Sequence, residues 1–430
     1  MKKLLVLVLS IMFVAGAFTS AYAAHGEALA NLEGSKVILG GDMRVRGVCK
    51  INHDTIEDID DDNCYWDQRV RLTVTGQIGD AEVRTRFTTA TNTDAVSQHN
   101  AKWDGAEETG GSLNVDYAYL HVPVAGIVID AGRQKATFGN SFYQDDVAKD
   151  RFKISAKVGD ATIGAYTDKM SENSNGNEGF LSNDVDDYGI YADYSAGDIN
   201  GGVLVVFSND DQVDDNDGTD ATAYVNTKVG NVGLKGELSL KTGDRYEYLD
   251  ANTLDTVDDT QWGGFVSADM GMDAVTVGGV VAFTANGYVA DKHFQPTAMV
   301  GSNQPAAVMN FGAAPSVVQM AAEAILPGAT VTVDTLLAAL NVGYQATPEL
   351  SVYGRGAYMD FADSTVTANG VGATADDVDA SAWEIDAGLK YQISKGVTYS
   401  VDLGYLIPDN ITGVDDNMLS ITNQFTVNFN

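Results

Sequence analysis

The stretch "YWDQRVRLTVTGQIGDAEVRTRFTT", Tyr65 to Thr89, decides the fold. Apolar and polar side chains alternate on both sides of the two-residue turn Gly79-Asp80. Such alternation is typical of β-strands with one apolar and one polar face, and a two-residue turn joins two of them as a hairpin. The stretch therefore predicts an antiparallel hairpin with one face in apolar surroundings and the other in water.

The same rhythm continues along most of the chain. Further short turns are predicted at Ala125-Gly126, Gly159-Asp160, Gly230-Asn231, Met272-Asp273, Pro348-Glu349 and Lys395-Gly396. Long polar connections separate the hairpins that these turns close. Short turns that alternate with long loops are typical of an up-and-down transmembrane barrel. We therefore predict an all-β, antiparallel transmembrane barrel of about 16–18 strands.

The first residues predict export. Lys2 and Lys3 precede the apolar run Leu4–Phe18, and Ala21-Tyr22-Ala23 forms a small-residue cleavage site. This pattern is typical of a secretory signal peptide. The remaining chain has no Pro- or Ser-rich linker that would mark a domain boundary. We therefore predict a signal peptide over residues 1–23 and a single barrel domain over residues 24–430.

The composition is strongly acidic. The whole chain carries a formal charge of −34, and removal of the two lysines of the signal peptide leaves 24 basic against 60 acidic side chains, a charge of 24 − 60 = −36. Such a charge repels nucleic acid, so no nucleic-acid partner is expected. A hydrophobic fraction of 44% with 9% aromatic residues argues against a disordered acidic chain.

A basic wall is predicted on the polar face of the first strands. Strand periodicity places two arginines from each of three strands on one face. A later strand adds one arginine and one lysine to the same kind of face. These residues are Arg44, Arg46, Arg69, Arg71, Arg84, Arg86, Arg151 and Lys153. Two interpretations stay open: the arginines solvate a wet interior by pairing with Asp42, Asp67 and Glu82, or they form an electrostatic filter that biases ion passage.

The segment "GRQKATFGNSFYQDDVAK", Gly132 to Lys149, follows an alternating strand. We interpret Ala136–Lys149 as a loop that folds into the barrel and narrows the pore. The candidate constriction residues are Arg133, Tyr143, Asp145 and Asp146. The two acids are expected to face the basic wall across the water of the pore.

This arrangement resembles the Gram-negative general porins, in which a strand ending in Gly-Arg leads into a constriction loop. The overall pattern is most similar to the outer-membrane homotrimeric porins of sulfate-reducing bacteria. The resemblance implies a channel in the bacterial outer membrane for passive diffusion of small hydrophilic solutes and ions. It also implies contact with outer-membrane lipid and lipopolysaccharide, and a homotrimer in which the loop Asn92–Ser112 reaches over a neighbouring subunit.

The two cysteines, Cys49 and Cys64, lie at the ends of consecutive predicted strands. In an exported protein this placement favours a disulfide, whereas two free thiols or a metal pair are the alternatives. Their spacing fits no zinc signature, and the acidic stretch "DDNDGTDATAY", 214–224, fails the EF-hand pattern. We expect no metal site and no cofactor, and we expect acidic loops such as Asp58–Asp62 to form a solvated surface, with a specific calcium site in these loops as the alternative.

Catalysis is not expected. The five histidines lie in no recognisable nucleophile motif, and the chain has no Gly-x-Ser-x-Gly, Walker or His-Glu-x-x-His sequence. The alternative to a porin is an acidic surface barrel with an adhesion or structural role. Conductance across a planar bilayer discriminates between the two, because only a porin opens discrete channels.

Overall fold

A computed structural model describes residues 29–32, 35–52, 63–90, 101–102, 112–172, 184–210, 217–243, 248–249, 256–257, 260–300, 311–313, 330–368, 371–375, 380–410 and 417–429. The predicted signal peptide, nearly all of the predicted subunit-spanning loop and the acidic loop Asp58–Asp62 lie outside these residues. Among the described residues, no helix has the length and apolar character needed to cross a membrane.

Eighteen long strands form one closed antiparallel barrel, within the predicted range. The strands are β1 Ser35–Ile51, β2 Asn63–Ile78, β3 Ala81–Ala90, β4 Ser112–Val124, β5 Ile127–Phe138, β6 Gln144–Val158, β7 Ala161–Glu172, β8 Asp184–Ala196, β9 Ile199–Asp210, β10 Gly218–Val229, β11 Val232–Thr242, β12 Gln261–Met272, β13 Val275–Ala285, β14 Thr330–Gln345, β15 Leu350–Ala368, β16 Ala380–Ser394, β17 Val397–Asp409 and β18 Met418–Phe429. Each strand pairs with the next, and β18 pairs with β1 so that Phe429 lies opposite Gly41.

Short turns gather at one end of the barrel and longer connections at the other. Gly79, Gly159 and Gly230 open three of the two-residue turns with φ values of 59°, 63° and 64°. This left-handed conformation is the one that hairpin turns require and that glycine adopts without strain. The turn chemistry therefore fixes the hairpin register that the alternating pattern predicts.

The outer face of the barrel is apolar. Leu340 is 72% exposed and Trp383 56% exposed, whereas Glu384, the next residue on β16, is fully buried. Exposed aromatic side chains lie near both ends of the strands, among them Trp66, Tyr188, Tyr194, Trp262, Tyr344 and Tyr391. An apolar band between two aromatic girdles is the surface that a transmembrane barrel presents to lipid.

One hairpin leaves the barrel wall. β5 pairs with β4 only as far as Arg133, and β6 pairs with β7 only from Asp150 onward. Between these points, residues 134–149 pair with each other alone, and we call them the inward hairpin. Its tip, Gly139–Tyr143, contacts side chains on the inner face of β10 and β11 and therefore lies inside the barrel.

The predicted loop Ala136–Lys149 is wrong in its extent, because most of it is strand. Ala136 pairs with Val147 and Phe138 pairs with Gln144, which leaves only the tip as a connection. Gly139 and Ser141 take φ values of 82° and 72°, and these reverse the chain within five residues. The alternation of the flanking strands thus extends into the segment that the sequence suggested was irregular.

A second segment also folds inward. Residues 286–300, here called the plug, follow β13 and bury Tyr288, Phe294, Met299 and Val300. They pack on an apolar inner wall whose members are Phe265, Ala282, Leu337, Ala339, Ala357, Met359, Phe361, Ala380, Ala382, Leu406 and Met418. The β12–β18 side of the lumen is therefore lined and filled mainly by apolar groups, with the buried carboxylates Glu384 and Asp386 among them.

Candidate functional site: the charged side of the lumen

The six predicted arginines of β1–β3 share the inner face of the barrel. The residues that alternate with them, such as Met43, Leu72 and Val83, are exposed on the lipid face. Arg46 lies opposite Asp67 in the register, and Arg44 lies opposite Arg69. Strand pairing therefore brings basic side chains from two strands to the same height of the wall.

Acidic partners on the same wall neutralise many of these arginines. Arg46 Nη2 lies 2.6 Å from Asp67 Oδ2, and its Nε donates to Asp67 Oδ1 at 2.9 Å. Asp42 accepts from two cations, at 2.6 Å from Arg71 Nε and 3.3 Å from Arg69 Nη2. These pairs are the ones that the first interpretation of the basic wall predicts.

The two arginines of β3 are paired with carboxylates and lie over tyrosine rings of β4. Arg84 Nε donates to Glu82 at 2.6 Å, and its Nη1 donates to the Tyr119 hydroxyl at 3.1 Å. Arg86 forms an ion pair with Asp116, and its guanidinium carbon lies 4.8 Å from the ring centroid of Tyr117. A guanidinium over a ring face is held by cation–π attraction as well as by its carboxylate.

The later basic pair faces the lumen in the same way. Arg151 donates to both oxygens of Asp168, at 2.6 and 2.7 Å, and lies 3.7 Å above the Tyr166 ring centroid. Lys153 Nζ lies 2.9 Å from Asp130, which also contacts His121 Nδ1 at 2.6 Å. The wall is thus a ladder of ion pairs that runs from β1 to β7.

The inward hairpin brings some of the predicted constriction residues to this ladder. Asp146 lies 3.5 Å from Arg86 Nη2 and 3.7 Å from Lys135 Nζ. Asp145 instead accepts from Thr137 and Ser141 within its own hairpin, at 2.9 and 2.7 Å. The Tyr143 hydroxyl donates across the lumen to Asp220 at 3.0 Å.

Arg133 does not join the lumen group. It pairs with Asp150 at 3.3 Å, and both side chains share the outer face with Phe152. The reason is strand parity, because Arg133 follows the outward positions Ile129 and Ala131 along β5. Its sequence neighbour Gly132 takes the inward position.

Cys49 and Cys64 are joined by a disulfide and lie opposite each other in the β1–β2 register. The bond lies toward the long-loop end of the barrel, on the same face as Trp66. Within the described part of the chain, no group of three or more potential ligands is arranged to hold a metal ion.

Two carboxylates that the sequence did not single out hold the inward segments. Glu237 on β11 accepts from the backbone amides of the hairpin tip, and Glu384 on β16 accepts from the plug. Their strands alternate like the others, so the sequence shows that both residues face inward. It contains no signal for their partners, which lie far away along the chain.

Comparison with known proteins supports the architecture. No family model and no curated protein matches the chain. Among solved structures, OccK3 (OpdO) of Pseudomonas aeruginosa aligns with a TM-score of 0.54 and 9% identity over 91% of this chain and 95% of that one. A BenF-like porin of Pseudomonas fluorescens Pf-5 aligns with 0.53 and 11% identity over 93% and 100%. The outer membrane protein opdK of Pseudomonas aeruginosa aligns with 0.53 and 13% identity over 91% and 98%.

At these identities the similarity shows the fold alone. A closed eighteen-stranded barrel with an apolar belt is an outer-membrane structure, and the chain lies in the bacterial outer membrane. The closer resemblance to porins of sulfate-reducing bacteria stays a prediction.

Proposed function

We propose that the protein is a porin, a water-filled channel for passive diffusion of small hydrophilic solutes and ions across the outer membrane. The observation that carries this proposal is the solvent exposure of charged side chains inside the barrel. Arg84 is 37% exposed and Asp146 is 41% exposed, although both belong to the interior ladder. Solvated charges of this kind are typical of the lumen of a porin and are costly inside a sealed barrel.

We also propose that ion selectivity is set where the inward hairpin narrows the lumen. Charges on exposed loops are screened beyond about 8 Å at physiological salt. Charges in a narrow lumen act at shorter range and at lower effective dielectric, so they dominate the field that a passing ion meets. We propose a transverse field in which anions follow the arginine wall and cations follow Asp145 and Asp146, with a weak net preference.

Reversal potentials in planar bilayers under a salt gradient test this proposal. The double variant R69S/R71S removes two cations and leaves Asp42 without these partners, so the reversal potential should shift toward cation selectivity. The double variant D145N/D146N should shift it toward anions. R133S is the matched control, because Arg133 lies on the outer face and its loss should leave selectivity unchanged. Wild-type reversal potentials in both double variants would contradict the proposed filter.

We also propose a homotrimer, on the strength of the general-porin resemblance. Crosslinking or native electrophoresis of detergent-extracted protein should show three copies, and a fully conducting monomer would refute this assembly. A folded barrel that stays silent in bilayers would instead favour the adhesion or structural role.

A further inference from the structure

The inward hairpin and the plug touch inside the barrel. The Phe142 ring of the hairpin tip stacks on Tyr288 of the plug, with centroids 5.5 Å apart and planes within 9°. Phe294 packs edge-on against the same Phe142 ring at 4.8 Å. A backbone hydrogen bond of 2.8 Å from Asp291 N to Phe142 O adds a polar contact. The two segments therefore form one continuous partition across the lumen.

One end of this partition is fixed on β11. Glu237 is buried, and its oxygens accept from the backbone amides of Asn140, Phe142 and Tyr143, the last at 2.8 Å. The side-chain amide of Asn140 also donates to Gly236 O at 3.1 Å. A carboxylate that accepts several amides holds a backbone strongly, because each bond is charge-assisted.

The other end is fixed on β16. Glu384 accepts from the Thr297 hydroxyl at 2.6 Å and from Met299 N at 2.8 Å. Asp386 accepts from Ala298 N at 3.0 Å, and Arg355 lies 3.6 Å from the same carboxylate. Three consecutive residues of the plug are thus bound to two neighbouring inward carboxylates, which we call the latch.

The wall behind the plug is shaped to receive it. Ala282, Ala357 and Ala382 line the inner face where the plug packs. A Cβ added at Gly404 would lie 2.9 Å from Met299 Cγ and 3.3 Å from Ala298 Cβ, so only glycine leaves room there. Burial of this apolar wall favours the seated plug, since exposing it to lumen water costs free energy in proportion to its area.

We propose that the plug and the hairpin tip work as one coupled gate, seated over the apolar side of the lumen and held by Glu384 and Asp386. Release of the latch removes the plug from its recess and takes away the stack that supports Phe142, so the tip loosens as well. The seated gate confines passage to the charged ladder, and the released gate opens a wider pore. This inference rests on the proposed porin function and adds to it a device that sets pore size.

Single-channel conductance of Glu384→Ala tests the latch. Loss of two of the three latch bonds should raise the conductance about two-fold, because the pore then spans both sides of the lumen. Liposome swelling should show entry of larger neutral sugars at the same time. Glu384→Gln is the matched control, because its amide oxygen still accepts from Met299 N and its amide nitrogen can donate to the Thr297 oxygen, so its conductance should stay closer to wild type than that of Glu384→Ala. Wild-type conductance in folded Glu384→Ala would overturn the latch.

A substitution at Gly404 tests seating independently of the latch. A Cβ at Gly404 would lie 2.9 Å from Met299 Cγ, so Gly404→Ala should push the plug out of its recess and raise the conductance as Glu384→Ala does. Gly356→Ala is the matched control, because a Cβ added there meets nothing within 4 Å, and it should keep wild-type conductance. This variant also tests the gate if Glu384→Ala fails to fold. Wild-type conductance in folded Gly404→Ala would overturn the gate.

The coupling between the plug and the hairpin tip is tested by the conductance of combined variants. Glu237→Ala and Glu384→Ala should affect conductance non-additively when combined, because either change loosens the shared partition. Additive effects would mean two independent barriers and would refute the coupling. Absence of channels in the folded wild-type protein would refute the porin function itself, which separates that failure from failure of the gate.

Discussion

Removal of the Asp67 carboxylate should destabilise the barrel strongly. Its partner Arg46 is nearly inaccessible, with side-chain exposures of 4% for Arg46 and 1% for Asp67, and three nitrogen–oxygen contacts of 2.6, 2.9 and 3.2 Å join them. Breaking a buried pair leaves one charge uncompensated, which costs about 3–5 kcal/mol. We therefore expect Asp67→Ala to lower the free energy of unfolding by about that amount.

The pair Arg84–Glu82 provides the control. Its closest contact is also 2.6 Å, but the side chains are 37% and 20% exposed, so lumen water screens both charges. Glu82→Ala should therefore cost only about 0–1 kcal/mol. The double variant R46M/D67L should recover most of the stability that Asp67→Ala loses, because an apolar pair of similar volume replaces a buried ion pair at little cost.

Guanidinium unfolding in lipid vesicles, followed by tryptophan fluorescence, measures all three variants under one condition. The reasoning fails if Asp67→Ala and Glu82→Ala have the same unfolding midpoint. It also fails if the apolar double variant is no more stable than Asp67→Ala, because the cost would then not come from a stranded charge.

Three further predictions concern the strands of the barrel. The double variant C49S/C64S should lose about 3 kcal/mol of stability and gain protease sensitivity in the first long loop, with unchanged conductance, since the bond lies at the loop end. Gly189→Ala should lower the thermal midpoint, because its Cβ would lie 2.1 Å from Tyr166 Cζ, whereas Gly356→Ala meets nothing within 4 Å and should be neutral. Leu340→Arg, in the middle of the apolar belt, should cost about 2–4 kcal/mol in vesicle unfolding, and an effect below about 1 kcal/mol would place that face outside the lipid.

The barrel is predictable from the sequence because each strand has lipid on one face and water on the other. Lipid outside and water inside impose a period of two on each strand, and the chain around Arg69 and Leu72 shows that period without interruption. The disulfide followed from the same register, since Cys49 and Cys64 end paired strands. These features depend on local sequence and on one environmental rule, so the sequence alone is enough to predict them.

The plug was not predictable from alternation, because its contacts lie far apart along the chain and its own residues have no strand period. One signal was nevertheless present. The run "TLLAAL", Thr335 to Leu340, is apolar on both faces, and continuous apolar runs are typical of strands buried on both sides. Leu337 and Ala339 occupy the inner face there, so the run predicts an apolar lumen wall that some other segment must cover.

The ladder of ion pairs changes how the acidic composition bears on selectivity. From Asp42 to Arg46 on β1 and from Asp67 to Arg71 on β2, the inward charges are four arginines and two aspartates, a local sum of 4 − 2 = +2. A chain of net charge −34 therefore carries a cationic surface at mid-height of its lumen. A passing ion responds to these near charges more than to screened loop carboxylates. Since R69S/R71S removes the whole local excess, its shift in reversal potential measures how far the lumen, and not the surface, decides which ions pass.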